Sequence, residues 1–537
     1  MAYTNTPQFS TYQNKRIAFI QNENLRNATT NRDVHLINVF GEAIETDTTK
    51  QKFITIRSRG GLEETIPFGG TKAPRGFFER HWKGNWYYVV DNELHKYDGN
   101  TDTVIFTLPS SSGPVGFTDY SSTTEDLLFF CDGQNGWNLK TDGTVVSIIP
   151  DVWQPGTTYA FGDRVRPSAS SDFWYTCVTA GTSDPTEPVW PTTIDDTIID
   201  GTVEWKTIGG NFPVPHIPMP VYIDGYLVLA KAGTQDFYNS ELEDPWNWPL
   251  DGFLSAEMYP DNLVALCKYN NYILAGGEDT IEFFYDAAHE TGSPFERNES
   301  AIATIGIAAP HTLLQTDRQV IFVGQTADGG KTVWKITDFK PEEIGIPPVR
   351  ESLTAEDGNI VNIRAYMVRH KGHKFYVLRL SSRTWVYDFD ENLWHEWMVG
   401  TFNWPGYLAS DNNVGDSFIL TPEGVYTLKN ELNQDLGSIP IVREWTTDSL
   451  DFDSINRKAM IRLAVVGNMP FNGTIDVSWS DDDYATWSTP RALNCNLQRP
   501  ALVNGGIFRR RAFKFMNTDN VELRLIGLEL VFNIHTS

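Results

Sequence analysis

The sequence predicts a mostly β protein: a β-propeller of six or seven blades, with a small aromatic β insertion and a C-terminal β-sandwich. Three observations carry that expectation. Val, Ile, Thr, Trp, Tyr and Phe recur in runs of four to seven residues separated by Gly, Asn, Asp and Pro, the pattern of short strands and turns. No long stretch shows the helical apolar period, so amphipathic helices are not expected. A two-strand unit recurs at a spacing in the forties, the length of one four-stranded propeller blade.

The units follow in order along the chain. GNWYYVVDNELHKYDGNT starts at Gly84 and DLLFFCDGQNGWNLKTDGT at Asp126. GYLVLAKAGTQDFYNSE begins at Gly225, NYILAGGEDTIEFFYD at Asn271, RQVIFVGQTADGGKTVWKI at Arg318, HKFYVLRLSSRTWVYDFD at His373 and DSFILTPEGVYTLKN at Asp416. Each runs from an apolar strand through a turn into a second, alternating strand, with room for two more. The start-to-start spacings are 42, 99, 46, 47, 55 and 43 residues, and removing residues 153–209 from the long gap restores 42. Radial closure leaves only short, protected sheet edges, which spares a strand-rich chain from edge-to-edge aggregation. One hairpin could belong to a neighbouring domain, hence six or seven blades. A row of separate β-sandwiches is the competing architecture, and it does not require the restored period.

At a soft prior of about 150 residues per domain, the 537 residues divide into an N-terminal arm and docking segment at 1–74, a propeller at 75–436 interrupted by the insertion at 153–209, and a sandwich at 437–537. Charge follows the same division. Residues 1–80 hold 11 basic and 8 acidic groups and residues 437–537 hold 11 of each, whereas residues 81–436 hold 21 basic and 50 acidic groups. So acidic a middle argues against a surface that grips nucleic acid through many Lys and Arg contacts. Cys131, Cys177, Cys267 and Cys495 are scattered, with no C-x-x-C pair and no His at ligand spacing, so neither a disulfide scaffold nor a zinc site is implied. The opening MAYTNTPQFSTYQNKRIAF lacks the pattern of a signal peptide, and no run approaches 18 apolar residues. A soluble protein made in a reducing cytoplasm is expected.

The insertion has its own composition. WQPGTTYAFGDRVRPSASSDFWYTCVTAGTSDPTEPVWPTT is followed by DGTVEWKTIGG. Its W-x5-Y-x2-GD-x-V pattern and WYTCV strand resemble small modules of the chitin-binding type, found in chitinases and phage tail proteins. In such modules exposed aromatic faces stack on sugar rings, which makes Trp174, Tyr175, Trp190 and Trp205 the glycan-binding candidates. The competing role for the same rings is the core, because a domain of 57 residues has little else to bury.

One stretch raises the question of catalysis. From Ser480, SDDDYATW resembles the S-x-D-x-x-x-T-W Asp-box turn of sialidases, with Tyr484 where that motif has glycine. Glycoside cleavage needs two carboxyl groups facing each other across the bond, or a tyrosine nucleophile beside an acid, and a sialidase adds arginines from separate blades. The box supplies none of these. Ser480, Asp482 and Trp487 are expected to close a hairpin, with Asp482 capping backbone amides as in an Asx turn. Arg509, Arg510 and Arg511 form the one dense arginine run, and alternation along a strand sends them to both faces. His370 and His373 in RHKGHKF are expected as solvated residues of a hairpin turning at Gly372, rather than as metal ligands. No phosphate-binding loop, H-E-x-x-H or G-x-S-x-G is present. No catalytic residue, metal or cofactor is expected.

The order of parts carries more information than any one motif. The arm NRDVHLINVFGEAI precedes the propeller, the segment from Thr291 to Gln325 includes GIAAPHTL, and the chain closes with SWSDDDYATWS, RRRAFKF and VELRLIGLELVF. This succession resembles the packaged-DNA stabilisation proteins of short-tailed phages, the tail hub or nozzle subunits. Their closing sandwich has S-D-D-G-G-x-T-W-S, where this chain has Asp483 and Tyr484 for the two glycines. Their arm has R-x-I-N-x-Y-P-E, where Phe40 and Gly41 stand for Tyr and Pro. The resemblance implies a structural, non-enzymatic protein of the virion tail, assembled in the host cytoplasm. It implies a homohexamer beneath the portal and adaptor rings, bearing tail fibres or spikes. Double-stranded DNA would cross its lumen during ejection without specific binding. The alternatives are a receptor-recognition tail protein that binds host surface glycan through the insertion, and a propeller glycosidase.

Overall fold

The computed structural model describes residues 12–20, 35–45, 52–289, 291–411 and 415–535, so part of the arm lies outside the described residues. The chain divides into two compact units, one of residues 71–344 with 360–362, the other of residues 1–70, 345–359 and 363–537. Strands dominate both. Among the described residues the one α-helix is Pro347–Ala355, with proline in its first turn.

The first unit carries five four-stranded antiparallel sheets. Sheet I is Pro74–Phe77, Trp86–Val90, Glu93–Tyr97 and Asp102–Thr107; sheet II is Gly116–Ser121, Asp126–Cys131, Gly136–Lys140 and Val145–Ser147. Sheet III is Val221–Ile223, Tyr226–Ala230, Asp236–Asn239 and Phe253–Ser255; sheet IV is Leu263–Tyr269, Tyr272–Gly277, Ile281–Asp286 and Phe295–Ala303. Sheet V is Gly306–Thr316, Gln319–Gln325, Lys331–Thr337 and Lys340–Glu343. The first strands of successive sheets lie beside one another, as the inner strands of neighbouring blades do. Second strands such as WYYVV, and DLLFFC after its first residue, are apolar because both their faces are covered. Val228, Ala230 and Phe237 of sheet III, for instance, pack on Leu266, Ile273 and Phe284 of sheet IV. Outer strands end the hydrogen-bonded ladder and meet water. In sheet V that strand is KPEE, exposed at every position, a proline and three charges that discourage pairing with another chain.

Local chemistry sets the hairpins. Asp224–Gly225 and Lys371–Gly372 take positive φ at both turn residues, the two-residue geometry that matches strand twist. Gly306, in the GIAAPHTL stretch, has no room for a side chain, since a Cβ there would lie 1.6 Å from the Glu278 carbonyl oxygen.

The second unit carries one more such sheet, sheet VII, and a four-strand meander, sheet VI, that forms part of a larger sheet. Sheet VI is Arg364–His370, His373–Arg379, Thr384–Asp388 and Leu393–Glu396; sheet VII is Leu408–Asp411, Ser417–Leu420, Gly424–Lys429 and, as its outer strand, Gly61–Pro67. Each of the seven repeat units thus falls in a four-strand meander, six of them separate four-stranded sheets and the other, sheet VI, part of a nine-stranded sheet. The sandwich is in the same unit. One of its sheets runs Val39–Glu45, Lys52–Ser58, Arg524–Ile534, Lys458–Gly467 and Ala501–Val503, with Tyr12–Ala18 also paired to Arg524–Ile534. The other runs Leu36–Ile37, Arg443–Thr446, Ala512–Asn517, Thr474–Ser480 and Arg491–Asn494, and continues sheet VI through the parallel pairing of Ile37 with Glu396. Trp445 and Phe515 stack at 5.3 Å in the core between them.

The expected boundaries at 74 and 437 are therefore corrected. The described strands of the arm are strands of the sandwich and of the last blade. The third strand of sheet VII, Gly424–Lys429, would otherwise leave a bare edge of backbone donors and acceptors, and Gly61–Pro67 covers it.

Candidate functional site

Four constellations and one charge distribution are the candidates for function. In the Asp-box-like turn, Asp482 Oδ1 accepts the Thr486 amide at 2.9 Å, its Oδ2 accepts the Thr486 hydroxyl at 2.6 Å, and Ser480 donates to Oδ1 at 2.8 Å. The Tyr484 amide donates to Ser480 Oγ at 2.9 Å. Asp483 and Tyr484 take φ of 55° and 67°, the left-handed conformation that glycine fills in the motif. The tyrosine ring offsets its strain by donating through its hydroxyl to the Thr447 carbonyl at 3.1 Å. Trp487 lies under Lys514, whose Nζ is 4.7 Å from the ring centre.

These bonds, the Thr486 hydroxyl first, hold the Asp482 pKa down to about 2. A carboxyl so acidic is a fixed anion at neutral pH, unfit to donate a proton to a leaving group. Because the folded value lies below the ordinary carboxylate value of about 3.9, the turn's stabilisation is complete above that pH and is lost as pH falls through about 2. Carbon-detected NMR titration should place the Asp482 midpoint near 2; a midpoint at the ordinary value would remove this account of the turn.

The arginine run departs from simple alternation. Ile507–Phe508 and Ala512–Asn517 are separate strands, so Arg509–Arg511 do not follow strand alternation. Arg511 is buried and forks onto Asp481 through two bonds of 2.7 Å, while Arg510 pairs with Asp483. Two of the three arginines brace the turn from either side of Asp482, and Arg509 caps the Ile455 carbonyl at 2.7 Å.

In the insertion the structure places most of the proposed sugar-stacking rings inside. Trp174, Tyr175 and Trp205 are 4 %, 0 % and 0 % exposed, which corrects their expected role as exposed faces. Trp174 anchors the module, packing with Tyr120, Phe129 and Leu229 of sheets II and III. Tyr175 and Trp205 join Trp153, Val165, Cys177 and Val203 in a six-residue core. Trp190 is half-buried, stacked on Tyr175 at 4.2 Å and donating to Glu187 at 2.8 Å. The physical reason is size: a module this small spends its aromatics on its own interior. Asp200, buried at the centre, accepts the indole N–H groups of Trp153 and Trp205 at 2.8 and 3.1 Å and the Asp184 amide at 2.9 Å. Arg164 ties the module to its neighbours, donating to the carbonyls of Ser147, Ile148 and Trp246. Burial lowers its pKa to about 10, which leaves it charged at neutral pH.

His370 and His373 flank the two-residue turn of their hairpin, but both are buried, a correction to their expected solvation. The Gly60 amide donates to His370 Nε2 at 2.8 Å. Burial, with Lys371 and Arg59 nearby, pushes the His370 pKa well down, so the ring is a neutral acceptor. His373 shares a proton with Asp388 at 2.8 Å; burial opposes its charge, but Asp388 and Asp390 outweigh burial and raise its pKa. His373, Asp388 and Asp390 are the one group of metal-ligand composition found among the described residues. Their atoms are already engaged with each other and with the Lys374 amide.

Beside His370 lies a constellation with no sequence signature. Arg59 and Asp435 are both wholly buried and form a bidentate pair at 2.8 and 2.7 Å. Arg59 also donates to Asn38 Oδ1 and to the carbonyls of Gly60 and Met398, and stacks over Trp404. Asp435 further accepts the Leu62 amide. Gly60 and Gly61 allow this approach, because a Cβ on either would lie 1.8 or 1.9 Å from the carbonyl oxygen of Lys429 or Gln434. The site is a structural lock on the strand that completes sheet VII.

Charge is the property that separates the two units. Residues 71–344 hold 16 basic and 39 acidic side chains, a net of −23, out of −26 for the whole chain. Among the described residues no helix is long and apolar enough to cross a membrane.

No curated protein matches. Among solved structures, the chain is similar to the N-terminal domain of Nup159 at 10 % identity, covering 73 % of this chain and 97 % of that one with a TM-score of 0.37. It is similar to virginiamycin B lyase from Staphylococcus aureus at 12 % identity, covering 59 % and 95 % with a TM-score of 0.28. It is also similar to the Myceliophteria thermophila Cps50 (Swd1) β-propeller domain at 11 % identity, covering 69 % and 100 % with a TM-score of 0.28. A family model of phage stabilisation proteins, described as the β-propeller of bacteriophage P22 Gp10, matches residues 211–412. The matched segment spans sheets III to VI and the first strand of sheet VII, and over those residues the chain is similar to the phage stabilisation family.

Proposed function

We propose that this protein is a structural subunit of a phage tail hub, a homohexameric conduit beneath the portal and adaptor rings that helps retain the packaged genome and passes it during ejection. The match of residues 211–412 to the phage stabilisation family carries the reading. The charge distribution supports it. Duplex DNA exposes one charge per about 1.7 Å, and a basic wall would exchange counterions and hold it. A unit of net charge −23 repels a polyphosphate and lets it slide. The subunit is non-enzymatic, and its tail fibres or spikes attach outside. Its place is the virion tail, with assembly in the host cytoplasm.

Electron microscopy of the native particle tests this. A sixfold tube of this chain between portal and tail tip is the expected result. A monomer in the particle, or a location on the fibres, overturns it. Purified tubes should also fail to retain double-stranded DNA even at low salt, where basic channels bind most tightly. Binding to host polysaccharide that is lost on deleting residues 153–209 would instead favour a receptor-recognition role.

A further inference from the structure

We propose that the outer face of the sandwich sheet containing Tyr12, Arg462, Val503 and Ile507 is an assembly surface that takes the acidic unit of a second copy of this chain. The inference rests on the homo-oligomeric reading above. Register places these side chains together. One row across the sheet runs Tyr12, Asn533, Ala459, Ile507, and the next runs Asn14, Val531, Arg462, Val503. The opposite face of the same strands, with Leu463, Leu528, Leu530 and Phe532, is core. The outer face should then be polar, as in a sheet with one face in water. Instead Tyr12, Val503 and Ile507 are 68 %, 51 % and 60 % exposed, and clustered exposed apolar groups mark interaction surfaces. Its charges are Arg16 and Arg462 against Glu529.

Two features select the occupant. The face is weakly basic, while residues 71–344 carry a net −23, so the surfaces are complementary in sign. That acidic unit also displays Met258 and Tyr259, each 45 % exposed and preceded by exposed Glu257, the one adjacent pair of exposed large apolar side chains among its described residues. Apolar groups with an acid meet apolar groups with arginines. Because the two patches differ, the contact is head to tail, and such contacts close into rings when the rotation allows.

The test uses the full chain, with assembly followed by sedimentation velocity and native mass spectrometry, and folding checked by near-ultraviolet circular dichroism. Val503→Glu with Ile507→Glu on one face, and separately Met258→Glu with Tyr259→Glu on the other, should each weaken association by about 100-fold or more. Mixing the two variants should restore a single intact contact and give dimers that grow no further. Raised salt should weaken the wild-type contact. If either folded variant assembles as the wild type does, this interface is wrong while the hexamer stands. If the wild-type chain stays monomeric alone and in the particle, the hub reading falls with it.

Discussion

Replacing Asp435 by alanine should destabilise the unit that holds the sandwich by about 3–5 kcal/mol, the cost of breaking a buried ion pair by removing one partner. Arg59 and Asp435 are both 0 % exposed, so the abandoned guanidinium would have no water to turn to. The Leu62 amide, which also donates to Asp435, would lose its acceptor at the edge of the strand that completes sheet VII. Differential scanning calorimetry should show one transition moving to markedly lower temperature while the other holds, since two units give separate cooperative events. Hydrogen exchange should locate the loss at Gly61–Pro67 and Gly424–Lys429, the paired strands. Replacing both charges by apolar residues of similar size should cost far less, because such a pair contributes little beyond the penalty of leaving one member alone. A change below about 1 kcal/mol for Asp435→Ala would mean that the pair behaves as a surface bridge.

Asp200→Ala should unfold the insertion while leaving the blade sheets intact. The carboxylate accepts two indole N–H groups and one backbone amide. Each buried donor left without a partner costs about 1–3 kcal/mol, and a core of six buried residues has little surplus to absorb that loss. Trp153 and Trp205 should move into water, shifting indole emission to longer wavelength. Limited proteolysis should then cut within residues 153–209. Asp200→Asn keeps one acceptor oxygen and should fall between the wild type and alanine. If the alanine variant resists protease as the wild type does, the carboxylate is not what holds the two indoles.

Much of the fold was legible in the sequence because its determinants are local. The second and third strands of each blade sheet are joined or flanked by turns whose chemistry sits within a few residues, as at Asp224–Gly225, and the acidic excess of the middle is a matter of counting. The Asp-box-like turn was legible for the same reason, since Ser480, Asp482 and Thr486 bond within one loop. The illegible parts share one property: their partners are far along the chain. Gly61–Pro67 reads as an ordinary arm strand until it pairs with Gly424–Lys429, and Arg59 gives no sign that Asp435 awaits it. The aromatic candidates of the insertion failed differently. A ring that stacks on sugar and a ring that fills a small core are the same residue type in the same strand pattern, and only the packing of Trp174 against sheets II and III tells them apart.

By itself, then, the sequence determined the recurring two-strand units, the turns between them and the segregation of negative charge, because propensity, turn geometry and charge are properties of neighbouring residues. The tertiary structure alone decided which strand closes sheet VII, which side chains are buried and which apolar side chains of the sandwich stay exposed. Those outcomes depend on contacts between segments hundreds of residues apart, whose closure is driven by burying surface and satisfying backbone groups across the whole fold.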